Sequence, residues 1–128
     1  MGNGVELDPG WEWDDKIPMS QGVKIGNLIF ISGQIALDPG GKVVGENDMA
    51  VQSERVYENI ATILKQAGGS ADNIVKVTAY LTDMSRYPQY NQVRAKFFGS
   101  RRPASTTVEV SGLAFKGLLV EVEAVAHI

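Results

Sequence analysis

The chain has 128 residues, the usual size of one domain, and carries 15 acidic against 12 basic side chains for a net charge of -3. It has no cysteine and one histidine, the penultimate His127, which excludes cysteine nucleophiles, thiolate zinc sites, disulfide scaffolds and Ser-His-Asp triads with an internal base. The acidic balance disfavours nucleic-acid binding, which usually needs a concentrated positive field. Any chemistry must therefore use carboxylates, hydroxyls, lysines, arginines, backbone groups and water.

The N-terminal segment, residues 1–16, is predicted to be an irregular lead-in rich in glycine and aspartate, with Trp11 and Trp13 pinning it to the surface. Its acidic character is the opposite of a basic signal peptide, and no apolar run approaches the roughly 18 residues of a membrane span. We therefore expect a cytoplasmic protein that does not associate with a membrane.

Residues 23–35 have the pattern of a β-hairpin. Residues 23–25 alternate between apolar and polar, a glycine-asparagine pair forms a turn, and residues 28–31 are continuously apolar. The second strand is therefore expected to be buried on both faces. A further turn signal, Asp-Pro-Gly-Gly, follows at residues 38–41.

Two helices are predicted after the hairpin. The first is capped by Asn47 or Asp48 and ends at the glycine pair 68–69. The second covers residues 85–98 and tolerates a proline in its first turn. The apolar positions of the first helix recur at spacings of three and four, at Val56, Ile60, Ile63, Leu64 and Ala67.

Three further strands are predicted, at residues 74–81, 105–111 and 118–126. In the first of them, the odd-numbered apolar residues from Val75 to Leu81 are expected on one face. The order β-β-α-β-α-β-β predicts an α+β fold, in which a mixed sheet carries both helices on one face. The other face has apolar residues too and needs a cover. We expect a homo-oligomer packed through that face, and the alternative is that the lead-in folds over it.

Two carboxylates share one face of the last predicted strand. Glu121 and Glu123 are two residues apart, so both project from the side that carries Leu119 and Val125. If an interface buries that side, desolvation and mutual repulsion would raise at least one pKa, giving a group that exchanges protons near neutral pH. The alternative is that both point to solvent or pair with a cation. Glu109 on the preceding strand allows the same two interpretations.

Two further segments carry candidate binding groups. Gly33, after Ser32 at the end of the apolar strand, would let a backbone N–H approach a ligand, although a bulge explains a glycine there as well. Ser105, Thr106 and Thr107 could bind polar substrate atoms, but serine and threonine are also ordinary at strand edges.

The densest basic stretch of the chain covers the last turns of the second predicted helix and the residues just after it. A nucleic-acid contact and a solvated helix end both explain such a stretch, and the net charge favours the helix end. Its basic residues are Arg94, Lys96, Arg101 and Arg102.

Four motifs occur in order along the chain. They are Ile-Pro-Met-Ser-Gln-Gly-Val at 17–23, Ile-Ser-Gly-Gln-Ile at 31–35, Pro-Ala-Ser running into Val-Glu-Val at 103–110, and Val-Glu-Val-Glu-Ala-Val-Ala at 120–126. Together they resemble the signatures of the RidA (YjgF/YER057c/UK114) family over residues 17–126. The resemblance implies a single domain over residues 17–128 with a chorismate-mutase-like fold, assembled as a homotrimer with small-molecule pockets between subunits.

The family's best-known activity is the hydrolysis of reactive imines and enamines to a 2-keto acid and ammonia, and the resemblance implies no cofactor and no metal. In that chemistry an arginine binds the substrate carboxylate, a backbone N–H assists, and a glutamate and a carbonyl position the attacking water. By resemblance the catalytic carboxylate is Glu121. The matching substrate-binding positions are Met19, Ser32, Gly33, Asn91, Ser105 and the carbonyl of Thr107.

Two substitutions depart from the family pattern. Ser105 stands where active members have the carboxylate-binding arginine, and Met19 stands where a tyrosine usually lines the pocket. Losing the arginine costs on the order of 2–3 kcal/mol unless another cation, such as Arg101 or Arg102, replaces it. Two hypotheses remain: a divergent imine or enamine deaminase with altered specificity, and a non-catalytic trimeric module that senses a metabolite or regulates a partner. An endoribonuclease or translation inhibitor ranks third, because the net charge and the scarcity of histidine disfavour RNA cleavage.

Overall fold

A six-stranded sheet with two helices forms the protein, and the computed structural model describes residues 2–128, so that Met1 of the predicted lead-in lies outside it. The strands are β1 (Val5–Leu7), β2 (Gly22–Ile25), β3 (Leu28–Ile35), β4 (Ile74–Leu81), β5 (Ala104–Glu109) and β6 (Val120–His127). Their order in the sheet is β1-β2-β3-β6-β4-β5, and only the β4–β5 pair is parallel. The helices are α1 (Met49–Lys65) and α2 (Tyr87–Phe98). The predicted α+β fold with a mixed sheet is confirmed.

The alternation of side chains along β6 separates the two faces of the sheet. The even-numbered residues from Val120 to Ala126 are buried in the core beneath α1 and α2. The odd-numbered residues, among them Glu121 and Glu123, therefore project from the opposite face, which we call the open face. Neither helix covers that face, and within residues 2–128 neither is long and apolar enough to cross a bilayer.

The lead-in differs from the prediction of an irregular segment. Its strand β1 pairs with β2 and lengthens the sheet, and a 3-10 turn follows at Asp14–Lys16. Leu28 and Phe30 on the open face remain 40% and 46% exposed, so the alternative that the lead-in folds over this face is wrong. The apolar strand β3 is buried on one face of the single chain only.

Local signals in the sequence explain most element boundaries. Asp48, and not Asn47, caps α1 by accepting a hydrogen bond from the backbone N–H of Val51.

The prediction for Val75 in β4 is wrong, because a register shift between Ile74 and Lys76 turns this side chain to solvent. Such a shift depends on the pairing with the neighbouring strand, and the alternation of apolar and polar residues in the sequence does not reveal it.

A buried glutamine connects α1 to the strand that carries Glu121. The side-chain amide of Gln52 donates to the carbonyl oxygens of Gly45 and Gly117, at 3.1 and 2.9 Å. Its oxygen accepts from the N–H of Leu119 at 2.8 Å. Because Leu119 lies two residues before Glu121, these bonds fix where β6 begins.

Replacing Gln52 with methionine tests this connection. Gln52→Met keeps the size and flexibility of the side chain but removes the partner of the Gly117 carbonyl and of the Leu119 N–H, while the Gly45 carbonyl keeps its bond from the N–H of Asp48. We therefore expect the free energy of unfolding to fall by about 2–4 kcal/mol. Urea denaturation measures the change. Gln92→Met on the exposed surface of α2 is the matched control, and a similar small change in both variants would contradict the assigned role of Gln52.

Candidate functional site

A groove of about 970 Å³ runs between α2 and β5, and we call it the α2–β5 groove. It collects five of the predicted site residues, together with an arginine that the sequence reasoning did not assign to the site. The predicted residues are Asn91, Arg101, Arg102, Ser105 and Thr107. The added residue is Arg94, whose side chain reaches across the groove from the helix to the strand.

The strand register explains why β5 presents these hydroxyls to the groove. Ser105 pairs with Val77 and Thr107 pairs with Ala79, and both partners are fully buried on the helix side of the sheet. Paired residues in a sheet place their side chains on the same face. Ser105 and Thr107 therefore point toward α2, away from the open face.

Arg94 makes three hydrogen bonds that span the groove. Its Nη1 donates to the Ser105 hydroxyl oxygen at 2.8 Å, and its Nη2 donates to the Tyr87 hydroxyl at 2.6 Å and to Asn91 Oδ1 at 2.5 Å. The guanidinium carbon also lies 5.6 Å from the ring centre of Tyr87 and 5.3 Å from that of Tyr90. The guanidinium is therefore held in one place from several sides.

The two arginines proposed as substitutes for the missing one behave differently. Arg101 forms an exposed ion pair with Asp72 at 3.0 Å, and Arg102 lines the groove. The arginine that contacts Ser105 is Arg94. A signal for it exists in the sequence, because Tyr87, Asn91 and Arg94 recur at helical spacing on one side of α2.

A second group of predicted residues lies on the open face around Glu121. An added methyl group on Gly33 would lie 2.8 Å from the carboxyl carbon of Glu121, so the carboxylate rests directly against this glycine. Gly33 sits in the register shift of the β3–β6 ladder between Ile31 and Gln34. The glycine and the shift together make room for the carboxylate.

The surroundings of Glu121 favour its protonated form. Partial burial raises its pKa above the ordinary value of 4.5, and the charge of Glu123 raises it further. Glu123 accepts a hydrogen bond from the Tyr80 hydroxyl at 2.7 Å, and this bond raises the pKa of Tyr80. A half-buried carboxyl with a raised pKa is a stronger base than an exposed one, which suits proton transfer.

The remaining predicted positions lie beside the Glu121 group without joining it. The Ser32 hydroxyl donates to the carbonyl of Ser20 at 2.7 Å, and its N–H donates to the carbonyl of Gln21 at 2.9 Å. Both groups therefore hold β3 against the preceding segment. Met19 is 59% exposed near the N-terminal acidic residues and lines neither the groove nor the Glu121 site.

The two groups of residues cannot meet within one chain. Strand β4 lies between β5 and β6, which places the outer two about 10 Å apart at the usual strand spacing. Ser105 also points to the helix side, whereas Glu121 points to the open face. A ligand that contacts both Glu121 and the α2–β5 groove therefore needs a second copy of the chain.

Known proteins resemble this chain along nearly its whole length. The family model described as Endoribonuclease L-PSP matches residues 14–128. A RutC family protein of Pyrococcus abyssi is 44% identical over 110 residues, which is 86% of each chain. A solved YjgF/YER057c/UK114 family protein of Mycobacterium tuberculosis is 32% identical, with a TM-score of 0.85 over 98% of this chain and 100% of that one. A solved Rid family protein of Yersinia pestis is 37% identical, with a TM-score of 0.88 over 98% and 99% of the two chains. The expected chorismate-mutase-like fold is confirmed.

The raised pKa of Glu121 predicts a pH-dependent stability change. A carboxyl whose pKa is higher in the folded state opposes folding once it ionises, so the cost is absent well below pH 4.5 and fully present above the folded pKa. We expect Glu121→Gln to increase the free energy of unfolding at pH 7, and the gain to shrink as the pH falls toward 4.

Urea denaturation at both pH values measures this effect. Glu54→Gln removes an exposed carboxylate from α1 and reports the general effect of losing one negative charge. The difference between the two variants isolates Glu121. A loss of stability at pH 7, or an equal gain at both pH values, would contradict the prediction.

Proposed function

The chain belongs to the RidA (YjgF/YER057c/UK114) family, and we propose that it hydrolyses small imines or enamines to a keto acid and ammonia. The observation that carries the proposal is the half-buried Glu121 carboxyl, held against Gly33 with a raised pKa on the open face. No metal-ligand cluster of three or more histidine, cysteine or acidic residues occurs within residues 2–128, and the proposed reaction uses water and protein groups alone.

The reaction requires one well-placed proton acceptor. Glu121 accepts a proton from water as the water oxygen forms a bond to the imine carbon, and it returns this proton to the imine nitrogen to give a carbinolamine. Glu121 then takes the proton of the carbinolamine hydroxyl as the C=O bond forms and passes it to the amino nitrogen, so that the C–N bond breaks and ammonia leaves. A carboxyl with a raised pKa can accept and return these protons. The carbonyl of Thr107 and the N–H of Gly33 would orient the water and the substrate.

The proposed site lies between subunits of a homotrimer acting in the cytoplasm. The opposite orientations of Glu121 and Ser105 support this arrangement, because a ligand can contact both only across an interface. The uncovered Leu28 and Phe30 on the open face supply apolar surface for such an interface. In this arrangement Ser32 borders the Glu121 side of the pocket, and Asn91 borders the other side.

Ser105 in place of the family's arginine favours a second candidate, a non-catalytic module that binds a metabolite. The matching family model also bears the description Endoribonuclease. RNA cleavage is disfavoured, because the one histidine, His127, lies at the end of β6 outside the α2–β5 groove and the Glu121 site. One set of assays separates the three functions.

The test measures ammonia and keto-acid release from freshly generated 2-iminopropanoate and 2-iminobutanoate. We expect hydrolysis well above the spontaneous rate, and a decrease of about 10²–10⁴-fold in Glu121→Gln, the usual contribution of a general base. Glu54→Gln is the control with the same charge change. An inert wild type would favour the binding module, and cleavage of a labelled RNA that persists in Glu121→Gln would favour the nuclease.

A second prediction concerns the close approach of Gly33 and Glu121. Gly33→Ala displaces only the end of a flexible side chain, so we expect the melting temperature to change little while hydrolysis falls at least about tenfold, as expected when a general base is misplaced. Gly112→Ala is the matched control, because the space around Gly112 is open. Full activity in Gly33→Ala would show that the position of the Glu121 carboxylate does not matter.

A further inference from the structure

We propose that Arg94 binds the carboxylate of the substrate, together with hydroxyl groups that it orients in the α2–β5 groove. The inference rests on the proposed function in one respect, the identity of the carboxylate as that of a 2-imino acid. The existence of an anion site at Arg94 rests on the contacts of the groove itself.

The first observation is the charge balance of the arginines. The chain has five, and within residues 2–128 three of them pair with a carboxylate: Arg55 with Glu58, Arg86 with Asp83 and Arg101 with Asp72. The two others, Arg94 and Arg102, have no carboxylate partner within 4.0 Å in that part of the chain, and both line the α2–β5 groove. Among the described residues, no acidic side chain lines this groove. Its positive charge is therefore available to an anion.

The second observation is the nature of the groups that hold Arg94. Ser105, Tyr87 and Asn91 all accept hydrogen bonds through neutral oxygens. These bonds fix the guanidinium without neutralising it, and they use three of its five N–H donors. Two donors remain for a ligand.

The third observation follows from the direction of these bonds. A hydroxyl whose oxygen accepts from Arg94 keeps its own hydrogen for another acceptor. The hydroxyls of Ser105 and Tyr87 can therefore both donate to an anion beside the guanidinium. One cation and two hydroxyl donors in one groove form a carboxylate-binding arrangement, since hydrogen bonds to a charged group are the stronger kind.

The fixed position of the Arg94 side chain supports the same assignment. The guanidinium lies over the rings of Tyr87 and Tyr90, and Tyr90 is fully buried with its hydroxyl 2.7 Å from that of Tyr57. A side chain fixed in this way loses little conformational entropy when it binds a ligand. The cation that the family pattern places on β5 is thus supplied by α2, and Ser105 becomes the partner that positions it.

Calorimetric titration with 2-oxobutanoate tests the inference. This keto acid has the carboxylate of the proposed substrate class and undergoes no hydrolysis. We expect Arg94→Gln to weaken its binding about 10- to 150-fold, as expected for losing charge-assisted hydrogen bonds. Lys96→Gln, an equal loss of charge on the exposed side of α2, should leave the dissociation constant within about twofold.

Two further variants keep the test independent of folding. Arg94→Lys retains the charge without the planar fork, so its affinity should fall between those of the wild type and Arg94→Gln. Tyr87→Phe keeps Arg94 and removes one hydroxyl donor, with an expected loss of about 10-fold, the lower end of the range for one hydrogen bond to a charged group. Equal affinity for 2-oxobutanoate in the wild type, Arg94→Gln and Tyr87→Phe would overturn the inference.

The following outcomes distinguish a failure of the inference about Arg94 from a failure of the proposed function. Binding of 2-oxobutanoate that depends on Arg94, in a protein that hydrolyses no imine, would retain the anion site and reject the hydrolase. Hydrolysis with an unchanged KM in Arg94→Gln would retain the hydrolase and reject Arg94. Inorganic phosphate that binds as tightly as 2-oxobutanoate would overturn the assignment to a carboxylate.

Discussion

The two-residue period of β6 is the constraint on which the rest of the molecule depends. Val120 and Val122 must point into the core beneath the helices, so Glu121 between them must point to the open face. A shift of one residue would bury the carboxylate among apolar side chains and expose two valines. The hydrogen bond from Leu119 to the buried Gln52 fixes the start of the strand against such a shift. The packing of the core thereby determines where the acid stands.

Strong periodic patterns made most of the fold predictable. The apolar residues of helix α1 recur at helical spacing, and those of strands β3 and β6 alternate, because one side of each element packs on the core. Strand β1 escaped prediction because three residues at a sheet edge carry too short a pattern, and their pairing with β2 forms only in the folded chain. The orientation of Val75 escaped for a related reason, since a register shift is a property of two strands together.

The sequence predicts those site residues that a strand pattern or a short motif identifies. It does not predict a residue that belongs to the site only through its contact with another element. Glu121 and Gly33 were found from strand alternation and from a short motif, and they lie together on the open face. Arg94 was noted only as one of several basic residues, because its contact with Ser105 joins a helix to a strand 11 residues later. A comparison of motifs shows only that the arginine is absent from one position, here 105. It does not show that an arginine from another element contacts the residue at that position.

The open face also connects assembly to chemistry. In the single chain Glu121 is half-buried, and partial burial is already the main cause of its raised pKa. A second subunit packed over Leu28 and Phe30 would remove more water from the same face and raise that pKa further. By linkage, association would then take up protons and would be favoured as the pH falls toward the pKa of Glu121. A contact that brought the α2–β5 groove of a neighbouring subunit to Glu121 would thus also make this carboxylate a stronger base, so that the isolated chain would lack both the groove and the full rise in pKa.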